Sequence, residues 1–355
     1  MMKKSGIRVV IMTITVAIIA LVIYRNFFSN TKELRFADII LSPDMNVNLA
    51  SGKTLELVFN EKKLSDYDSI VVSVGNNVVD RLVQKFTTTV NTENLPLGYQ
   101  KAEVSVFKKN KKKTVDLPFV IFSDIVPTNS PYIKLKELIH DPKTYTQGLE
   151  VYNGNLYESA GQYGESSIRK SELNTGKVLQ KKVLAKEYFA EGITTLNGKI
   201  YQLTWKEGIC IIYDDQLNEL KRRNFTTTTG EGWGLCNDGN SLIVSDGSNK
   251  LTYINPENFN VEKVISVYAG NTEVNGLNEL EHVDGFIYAN IYTTNQIVKI
   301  QSQTGKVFLI LDMTALKNEN LSGEVLNGIA YKSSTNTFLV TGKYWNKMYE
   351  ISFDK

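Results

Sequence analysis

The stretch Tyr145-Thr146-Gln147-Gly148-Leu149-Glu150-Val151-Tyr152-Asn153-Gly154-Asn155-Leu156-Tyr157 contains the motif that decides the fold. In this motif a glycine-centred strand start is followed by a tight turn and a second apolar strand. It occurs five times at intervals of about 40 to 50 residues, which is typical of a β-propeller with one four-stranded blade per repeat. The five strand starts are Gln147-Gly148-Leu149, Glu191-Gly192-Ile193, Glu231-Gly232-Trp233, Asn278-Glu279-Leu280 and Asn327-Gly328-Ile329.

The repeats predict an all-β, five-bladed propeller over residues 132–355. The last repeat has only three clear strands, whereas an additional strand, Tyr132–Ile139, precedes the first repeat. We expect this early strand to complete the last blade, because the ring then closes without an open edge. The innermost strand of each blade starts near the central axis, so the polar residues at the five starts are expected to converge on one site.

Residues 1–30 have the pattern of a signal anchor, that is, an uncleaved transmembrane helix. Three basic residues precede the uncharged segment Val9–Tyr24, and the nearby pair Phe27-Phe28 makes the apolar segment long enough to cross a bilayer. The basic residues predict a cytoplasmic N-terminus and an extracytoplasmic remainder, in the periplasm or at the cell surface. A cleaved signal peptide is the alternative, although no small-x-small cleavage site follows.

Residues 33–126 read as a separate small β domain. Alternating apolar stretches such as Thr54–Phe59 and Ala102–Phe107 are separated by polar turns. About seven short strands in about 90 residues predict an immunoglobulin-like sandwich. The domain has no cluster of catalytic residue types, so we interpret it as a spacer or docking module. A polar, proline-bounded linker at 126–131 joins it to the propeller.

Composition excludes several kinds of chemistry. The net charge is only +2, so the overall charge gives no reason to expect nucleic-acid binding. The two histidines, His140 and His282, and the two cysteines, Cys210 and Cys236, form no cluster at metal-ligand spacing, so a catalytic zinc is not expected. A structural cation held by oxygen ligands in the channel stays open. The cysteines are expected to be buried free thiols, with a disulfide as the alternative.

Glu191 is the strongest candidate for chemistry. It lies at a predicted inner-strand start and follows Tyr188-Phe189-Ala190. A carboxylate that aromatic rings partly remove from water has a raised proton affinity, as a general acid or base requires. The alternative is a structural role, in which Glu191 accepts backbone N–H bonds and holds neighbouring blades together.

Aromatic and polar residues recur at the same end of the predicted blades. The aromatic ones are Tyr145, Phe189, Trp205, Trp233, Tyr292 and Trp345. Each of them alone is better explained by packing between blades. The alternative is that several of them near the inner-strand starts form a ligand pocket with a few polar groups. Lys343 ends an apolar strand, where it is either a surface lysine or a cation directed at the site. Gln147 and Asn278 offer uncharged hydrogen bonds.

Nine short motifs carry a family resemblance. They are Tyr145–Leu149, Tyr157–Gly164, Ser167–Lys170, Tyr201–Lys206, Glu231–Leu235, Ser245–Ser248, Leu277–Glu281, Leu326–Ala330 and Thr341–Trp345. In this order, across about 220 residues, they resemble the plant-type glutaminyl cyclases, or glutaminyl-peptide cyclotransferases. The resemblance covers neither the predicted anchor nor the first β domain.

The resemblance implies a five-bladed propeller that converts an N-terminal glutamine into pyroglutamate and releases ammonia without a catalytic metal. It implies that Glu191 is the acid/base carboxylate. It assigns the aromatic pocket to Phe189, Trp205 and Trp233, and the polar site positions to Gln147, Asn278 and Lys343. Tyr145 stands where the motif usually has Phe and Tyr292 where it usually has Trp. Each keeps a ring and adds a hydroxyl, which is expected to affect substrate preference and rate.

The chemistry expected from these residues is a proton relay. By this hypothesis Glu191 takes a proton from the attacking amine and delivers it to the departing ammonia, while Lys343 and Asn278 polarise the amide oxygen. The expected substrates are peptides or proteins with N-terminal glutamine, and we expect a monomer. The alternative function is a non-catalytic extracytoplasmic propeller that binds a peptide or glycan, with the same groups dispersed over an open face.

Overall fold

The computed structural model describes residues 35–43 and 47–354. The predicted signal anchor at 1–30 lies outside the described residues. In the part that is described, no helix has the length and apolar character needed to cross a bilayer.

The described chain is all-β, with 31 strands and three short helices. The helices are α1 (Phe36–Ile39), α2 (Glu61–Leu64) and α3 (Thr314–Asn318). Two compact units are present: the first has its described residues before 48, in 54–91 and in 100–119, and the second comprises 48–53, 92–99 and 120–354.

Residues 40–122 contain eight strands, one more than the sequence suggested, in two sheets. The strands are β1 (Ile40–Ser42), β2 (Val47–Ala50), β3 (Thr54–Phe59), β4 (Ser69–Val74), β5 (Asn77–Leu82), β6 (Thr87–Asn91), β7 (Gly98–Lys108) and β8 (Lys111–Phe122). One sheet has the order β1-β3-β6 and the other the order β2-β8-β7-β4-β5. Buried and exposed residues alternate along β3 and β6, as expected for strands with one face on a core.

The remaining strands form five antiparallel sheets, here called sheets I to V. Sheet I contains β11 (Thr146–Tyr152), β12 (Asn155–Ala160), β13 (Ser167–Glu172) and β14 (Val178–Val183). Sheet II contains β15 (Ala190–Leu196), β16 (Lys199–Thr204), β17 (Ile209–Tyr213) and β18 (Glu219–Asn224). Sheet III contains β19 (Leu235–Asn237), β20 (Leu242–Ser245), β21 (Lys250–Ile254) and β22 (Val261–Ser266).

The last two sheets each include a strand from before sheet I. Sheet IV contains β25 (Leu277–Val283), β26 (Phe286–Ile291), β27 (Gln296–Gln301) and β28 (Val307–Asp312), with β9 (Thr128–Ser130) parallel to β28 at its edge. Sheet V contains β29 (Leu326–Lys332), β30 (Thr337–Gly342), β31 (Lys347–Ser352) and β10 (Ile133–Ile139). A two-stranded hairpin, β23 (Tyr268–Ala269) and β24 (Thr272–Glu273), precedes sheet IV. Strand β9 lies within the predicted linker at 126–131, so part of that linker is a strand.

Two-residue turns connect the first two strands of the first and second repeats. Asn153 and Gly154, between β11 and β12, both have positive φ, at 48° and 74°. Asn197 and Gly198 repeat this geometry between β15 and β16, at 53° and 73°. Two consecutive positive-φ residues make the two-residue hairpin turn whose twist matches that of the strands, and Asn-Gly is its favoured sequence.

The five inner strands pack in cyclic order. Neighbouring pairs are β11 with β15, β15 with β19, β19 with β25, β25 with β29, and β29 with β11. A separate apolar core lies between each pair of adjacent sheets, including sheets V and I. The inner strands approach closely: a Cβ on Gly234, which precedes β19, would lie 1.9 Å from the backbone oxygen of Asn278. Only glycine allows this approach.

Buried carboxylates join the inner strands across the axis. Glu279 accepts the backbone N–H groups of Leu149 at 3.1 Å and of Ile329 at 2.7 Å, so it connects sheets I, IV and V. Glu281, two residues on, accepts the N–H of Tyr331 at 2.9 Å. These bonds compensate part of the cost of burying the carboxylates, and burial raises the pKa of both.

Candidate active site

Irregular pairing at the inner-strand starts positions the polar residues. In β11, β15, β25 and β29 the register with the next strand shifts near the first residues of the strand. The skipped positions include Gln147, Glu191, Asn278 and Asn327. An interruption of this kind releases a residue from the regular alternation of a strand and turns its side chain in a new direction. The repeated motif of the sequence therefore delivers these polar side chains to one end of the inner strands.

Nine of the ten candidate residues named from the sequence, all but Trp345, line one cavity of about 250 Å³, together with Gln162. The nine are Tyr145, Gln147, Phe189, Glu191, Trp205, Trp233, Asn278, Tyr292 and Lys343. They come from all five repeats, so only the cyclic packing of the inner strands brings them together. This convergence distinguishes a pocket from the dispersed groups of an open binding face.

Glu191 is buried, with 4% of its surface exposed. Its Oε1 accepts a 3.0 Å hydrogen bond from Gln147 Nε2, and among the described residues its Oε2 has no partner. Burial raises the pKa of Glu191 well above its usual value; the Lys343 cation opposes this shift, whereas the Glu231 and Glu207 carboxylates add to it. One oxygen is thus fixed and the other is available to a molecule in the cavity.

The alternative role considered for Glu191 was to accept backbone N–H bonds and hold sheets together. Other carboxylates of this chain have that role. Glu279 and Glu281 accept backbone N–H groups from other sheets, and Glu150 accepts the N–H of Thr195 at 3.2 Å. Glu191 accepts no such bond among the described residues. Among the described residues its one hydrogen-bond partner is Gln147, another side chain of the cavity. The geometry therefore favours a role in the cavity over one in holding the sheets together.

Lys343 is buried beside the same cavity, with 2% of its surface exposed. Its Nζ lies 4.5 Å from the ring centre of Tyr145 and 5.2 Å from that of Tyr292, so the cation is held between two aromatic faces. Burial lowers the pKa of Lys343, and the charges of Glu191 and Glu324 act against this. No carboxylate of the described chain forms a direct salt bridge with it. The reading of Lys343 as a surface lysine is wrong.

Side-chain amides complete the polar part of the site. Asn327 Nδ2 donates to Gln147 Oε1 at 3.0 Å and to the backbone oxygen of Thr146 at 2.9 Å. Because Gln147 Oε1 is engaged in this way, its NH₂ group is directed at Glu191. The Oδ1 atoms of Asn278 and Asn327 are both buried and have no partner among the described residues. Asn278 lines the cavity, so a molecule bound there can donate a hydrogen bond to its Oδ1.

Aromatic rings form most of the cavity wall. Phe189 contacts Tyr145 on one side, with ring centres 6.1 Å apart, and Trp205 on the other, at 5.5 Å. Trp233 contacts Tyr292 at 5.3 Å, and the close fit of Gly247 beneath it requires glycine, because a Cβ there would lie 2.7 Å from the indole. Trp345, which the sequence grouped with these rings, is fully buried in the core between sheets IV and V instead.

Three residues near the cavity were not named as site residues from the sequence. Asn327 occupies the same position in its repeat as Gln147, Glu191 and Asn278, so the repeat itself was a sufficient signal. The sequence placed Glu231 at the start of the third inner strand, but that strand begins at Leu235, and Gly234 rather than Gly232 packs against the neighbouring inner strands. The contacts of Glu231 with two tryptophans depend on side-chain geometry. Gln162 lies in a loop with a positive φ of 92°, and no sequence signal marked it.

The described residues contain no cluster of the side chains that usually bind metal ions. Within 35–43 and 47–354, no group of three or more His, Cys, Asp or Glu side chains is arranged to hold a metal ion. His140 is instead buried between Glu158, at 2.9 Å, and the backbone oxygen of Trp345, at 2.7 Å. Cys210 and Cys236 are both buried free thiols, as expected, and the disulfide alternative is wrong.

Comparison with known proteins identifies the family. A model of the glutamine cyclotransferase family matches residues 116–353. A protein of Arabidopsis thaliana named glutaminyl-peptide cyclotransferase is 39% identical over 223 residues, which cover 61% of this chain and 69% of that protein. The crystal structure of Myxococcus xanthus glutaminyl cyclase is similar with a TM-score of 0.60 and 30% identity, covering 64% of this chain and 98% of that one. Since the family model spans more than half of its length, this chain belongs to the glutamine cyclotransferase family.

Proposed function

We infer that this chain is a glutaminyl-peptide cyclotransferase, which converts the N-terminal glutamine of a peptide or protein into pyroglutamate and releases ammonia. Family membership and the Arabidopsis relative of that name support the reaction. Within the molecule, one observation carries the proposal. Glu191 and Lys343 line the same small cavity, and neither is consumed by a direct salt bridge within the described chain.

The reaction needs one proton to move between two nitrogen atoms. The substrate's α-amino nitrogen attacks its own γ-carboxamide carbon, so a new N–C bond forms and the bond to the amide nitrogen breaks. The attacking nitrogen loses one proton and the departing nitrogen gains one, so ammonia leaves. We assign this transfer to Glu191 Oε2, since Oε1 is held by Gln147. Its raised pKa suits a group that must accept a proton and then return it.

Negative charge develops on the amide oxygen as the ring closes. Lys343 and Asn278 are the groups proposed to stabilise it, because Lys343 is a buried cation and Asn278, which also lines the cavity, can donate a hydrogen bond from its Nδ2 group. A well-placed donor to such an oxygen contributes roughly 3 kcal/mol to transition-state stabilisation. The surrounding rings favour a folded substrate side chain and exclude water, which would otherwise hydrolyse the amide to glutamate.

The direct test is mass spectrometry of a peptide substrate. Full-length protein is incubated with a peptide that begins with glutamine, and the product should be lighter by one ammonia. Two matched peptides are the controls: one with an N-acetylated glutamine, which has no free amine to attack, and one that begins with asparagine, which would need a strained four-membered ring. If the glutamine peptide keeps its mass under conditions in which the protein is folded, the proposed reaction is wrong.

We also propose the finer architecture expected from the sequence. The cyclic order of the inner strands and the apolar core between each adjacent pair support sheets I to V as the blades of a five-bladed propeller over 132–355. The two sheets of residues 40–122 support an immunoglobulin-like sandwich over 33–126, acting as a spacer or docking module. A crystal structure with a different number of blades, or with the two sheets unpacked, would contradict these assignments.

Three further proposals rest on the sequence. Residues 1–30 anchor the protein in a membrane with the remainder extracytoplasmic, so protease added to intact cells should degrade the propeller. The protein is a monomer, which light scattering of the detergent-solubilised chain measures.

Catalysis needs no metal, so dialysis against a chelator should leave the rate unchanged, and restoration of a lost rate by one added metal would contradict this. A structural cation in the channel would show instead as a lowered melting temperature after chelation.

A further inference from the structure

The aromatic wall of the cavity has two gaps. In order around the cavity the rings are Tyr145, Phe189, Trp205, Trp233 and Tyr292. Phe189 contacts both Tyr145 and Trp205. Trp233 contacts Tyr292. Lys343 bridges the gap between Tyr292 and Tyr145. Among the described residues, the two tryptophans have no direct ring contact, so something else must fix their separation.

Glu231 occupies that second gap. Its Oε2 accepts a hydrogen bond from Trp205 Nε1 at 2.8 Å and another from Trp233 Nε1 at 2.9 Å. The other oxygen, Oε1, is 3.8 Å from the Nζ of Lys206, which itself lies 4.0 Å from the ring centre of Trp205. One carboxylate oxygen thus binds both indole N–H groups. Hydrogen bonds to an ionised acceptor are shorter and stronger than those to a neutral one.

The backbone around Glu231 is also held in place. The hydroxyl of Thr227 donates to the backbone oxygen of Glu231 at 2.6 Å, and the N–H of Glu231 donates to the hydroxyl of Thr229 at 3.3 Å. The next N–H, of Gly232, donates to the backbone oxygen of Trp205 at 2.9 Å. The loop that carries Glu231 and Trp233 is therefore hydrogen-bonded to the backbone of Trp205, the tryptophan on the other side of the gap. The carboxylate is preorganised for its two bonds.

We propose that Glu231 is a positioning residue of the active site, which fixes the two tryptophans through one carboxylate oxygen and thereby sets the width of the cavity that receives the substrate's side chain. This rests on the proposed function, because the cavity matters as the place where the glutamine side chain folds. Glu231 acts through Trp205 and Trp233 and carries no proton in the reaction. A near-attack geometry depends on such walls, since a displacement of about 1 Å is enough to lower a rate roughly a hundredfold.

Glu231 has a second, electrostatic effect that can be separated from the first. Its charge raises the pKa of Glu191, as does that of Glu207. Glu207 accepts a bond from the hydroxyl of Tyr163 at 2.9 Å and, among the described residues, bonds no indole. Glu207→Gln is therefore the matched control: it removes a nearby negative charge and leaves the tryptophan bonds in place.

The first test observes the indoles and needs no turnover. The chain has three tryptophans, so nitrogen-15 labelling of the indoles should give three N–H signals. The third, Trp345, donates to the backbone oxygen of Glu324 at 3.0 Å and is an internal reference. Glu231→Ala should move two signals and speed their exchange with water, while the third stays. Glu207→Gln should move none. If Glu231→Ala leaves all three signals in place, the proposal is wrong, whether or not the protein cyclises glutamine.

The second test compares two replacements kinetically. Glu231→Ala leaves both indoles without an acceptor and should lower kcat/KM at least roughly tenfold, the effect expected when partly buried donors lose a charged partner. Glu231→Gln retains an oxygen acceptor and should recover most of this loss. The positioning role is refuted if both variants have the kcat/KM of the wild type. It is also refuted if Glu231→Gln lowers kcat/KM as much as Glu231→Ala does while its indole signals stay in place. Absence of cyclisation by the wild type would refute only the proposed reaction.

Discussion

Replacing Lys343 with methionine should stabilise the protein while it impairs the enzyme. Lys343 is 2% exposed as a residue, and its ammonium group lies between the rings of Tyr145 and Tyr292 without a direct salt bridge among the described residues. Burying an ion without a paired partner costs more than the contact with the rings returns, and an apolar side chain of similar length fills the same space. We expect the free energy of unfolding to rise by about 1 kcal/mol, observed as a higher melting temperature.

The same substitution should lower activity in a pH-dependent way. Loss of the cation removes a group proposed to stabilise the amide oxygen, which costs on the order of 100-fold in kcat. Lys343 also lowers the pKa of Glu191, so its removal raises that pKa further. Glu191 must begin ionised to accept a proton, so the variant should lose further activity as the pH falls.

The assay is the ratio of kcat/KM for Lys343→Met to that of the wild type across pH, because ionisation of the substrate amine cancels in the ratio. The ratio should fall as the pH decreases through the range in which Glu191 titrates. Lys206→Met is the control, since that lysine also lies over a ring but is exposed, and its melting temperature should stay unchanged. A less stable Lys343→Met protein that keeps the wild-type kcat/KM at every pH would refute the reasoning.

Two further predictions concern residues around the site. Asn327→Ala should lower kcat roughly tenfold, because Gln147 loses the donor that directs its amide at Glu191; a change of less than twofold would show that Gln147 needs no such support. Burial raises the pKa of Glu150 to about 7, so its contribution to stability is complete below its unfolded value and is lost as the pH rises through about 7. In Glu150→Gln the decrease of the melting temperature between about pH 5 and pH 8 should be smaller than in the wild type, and an equal decrease would contradict the assignment.

The repeated strand start is where the sequence was most informative. Gln147, Glu191 and Asn278 directly precede the glycine position of their repeats, and the structure shows interrupted strand pairing at these three residues. The fourth repeat has Glu279 where the others have glycine. Its carboxylate accepts backbone N–H groups of sheets I and V, which the pattern of the sequence did not reveal.

Side-chain orientation limited the rest of the prediction. Trp205, Trp233 and Trp345 look alike in sequence, yet only the first two reach the cavity, because Trp345 folds back over Gly342 and donates to a backbone oxygen. The role of Glu231 depends on two distances to indole nitrogens in different repeats. Likewise, β9 was expected to be a linker because it is polar and lies between prolines, but as an edge strand it needs no apolar face.

The central claim is that Glu191 transfers the proton, and Glu191→Gln tests it most directly because it preserves the shape of the side chain. The measurement is the rate at which full-length Glu191→Gln protein converts a glutamine-initiated peptide, with the melting temperature recorded on the same sample. We predict a loss of at least roughly 100-fold in kcat with no decrease in melting temperature, since the buried group no longer carries a charge. A folded Glu191→Gln protein that cyclises the peptide at the wild-type rate would contradict the account.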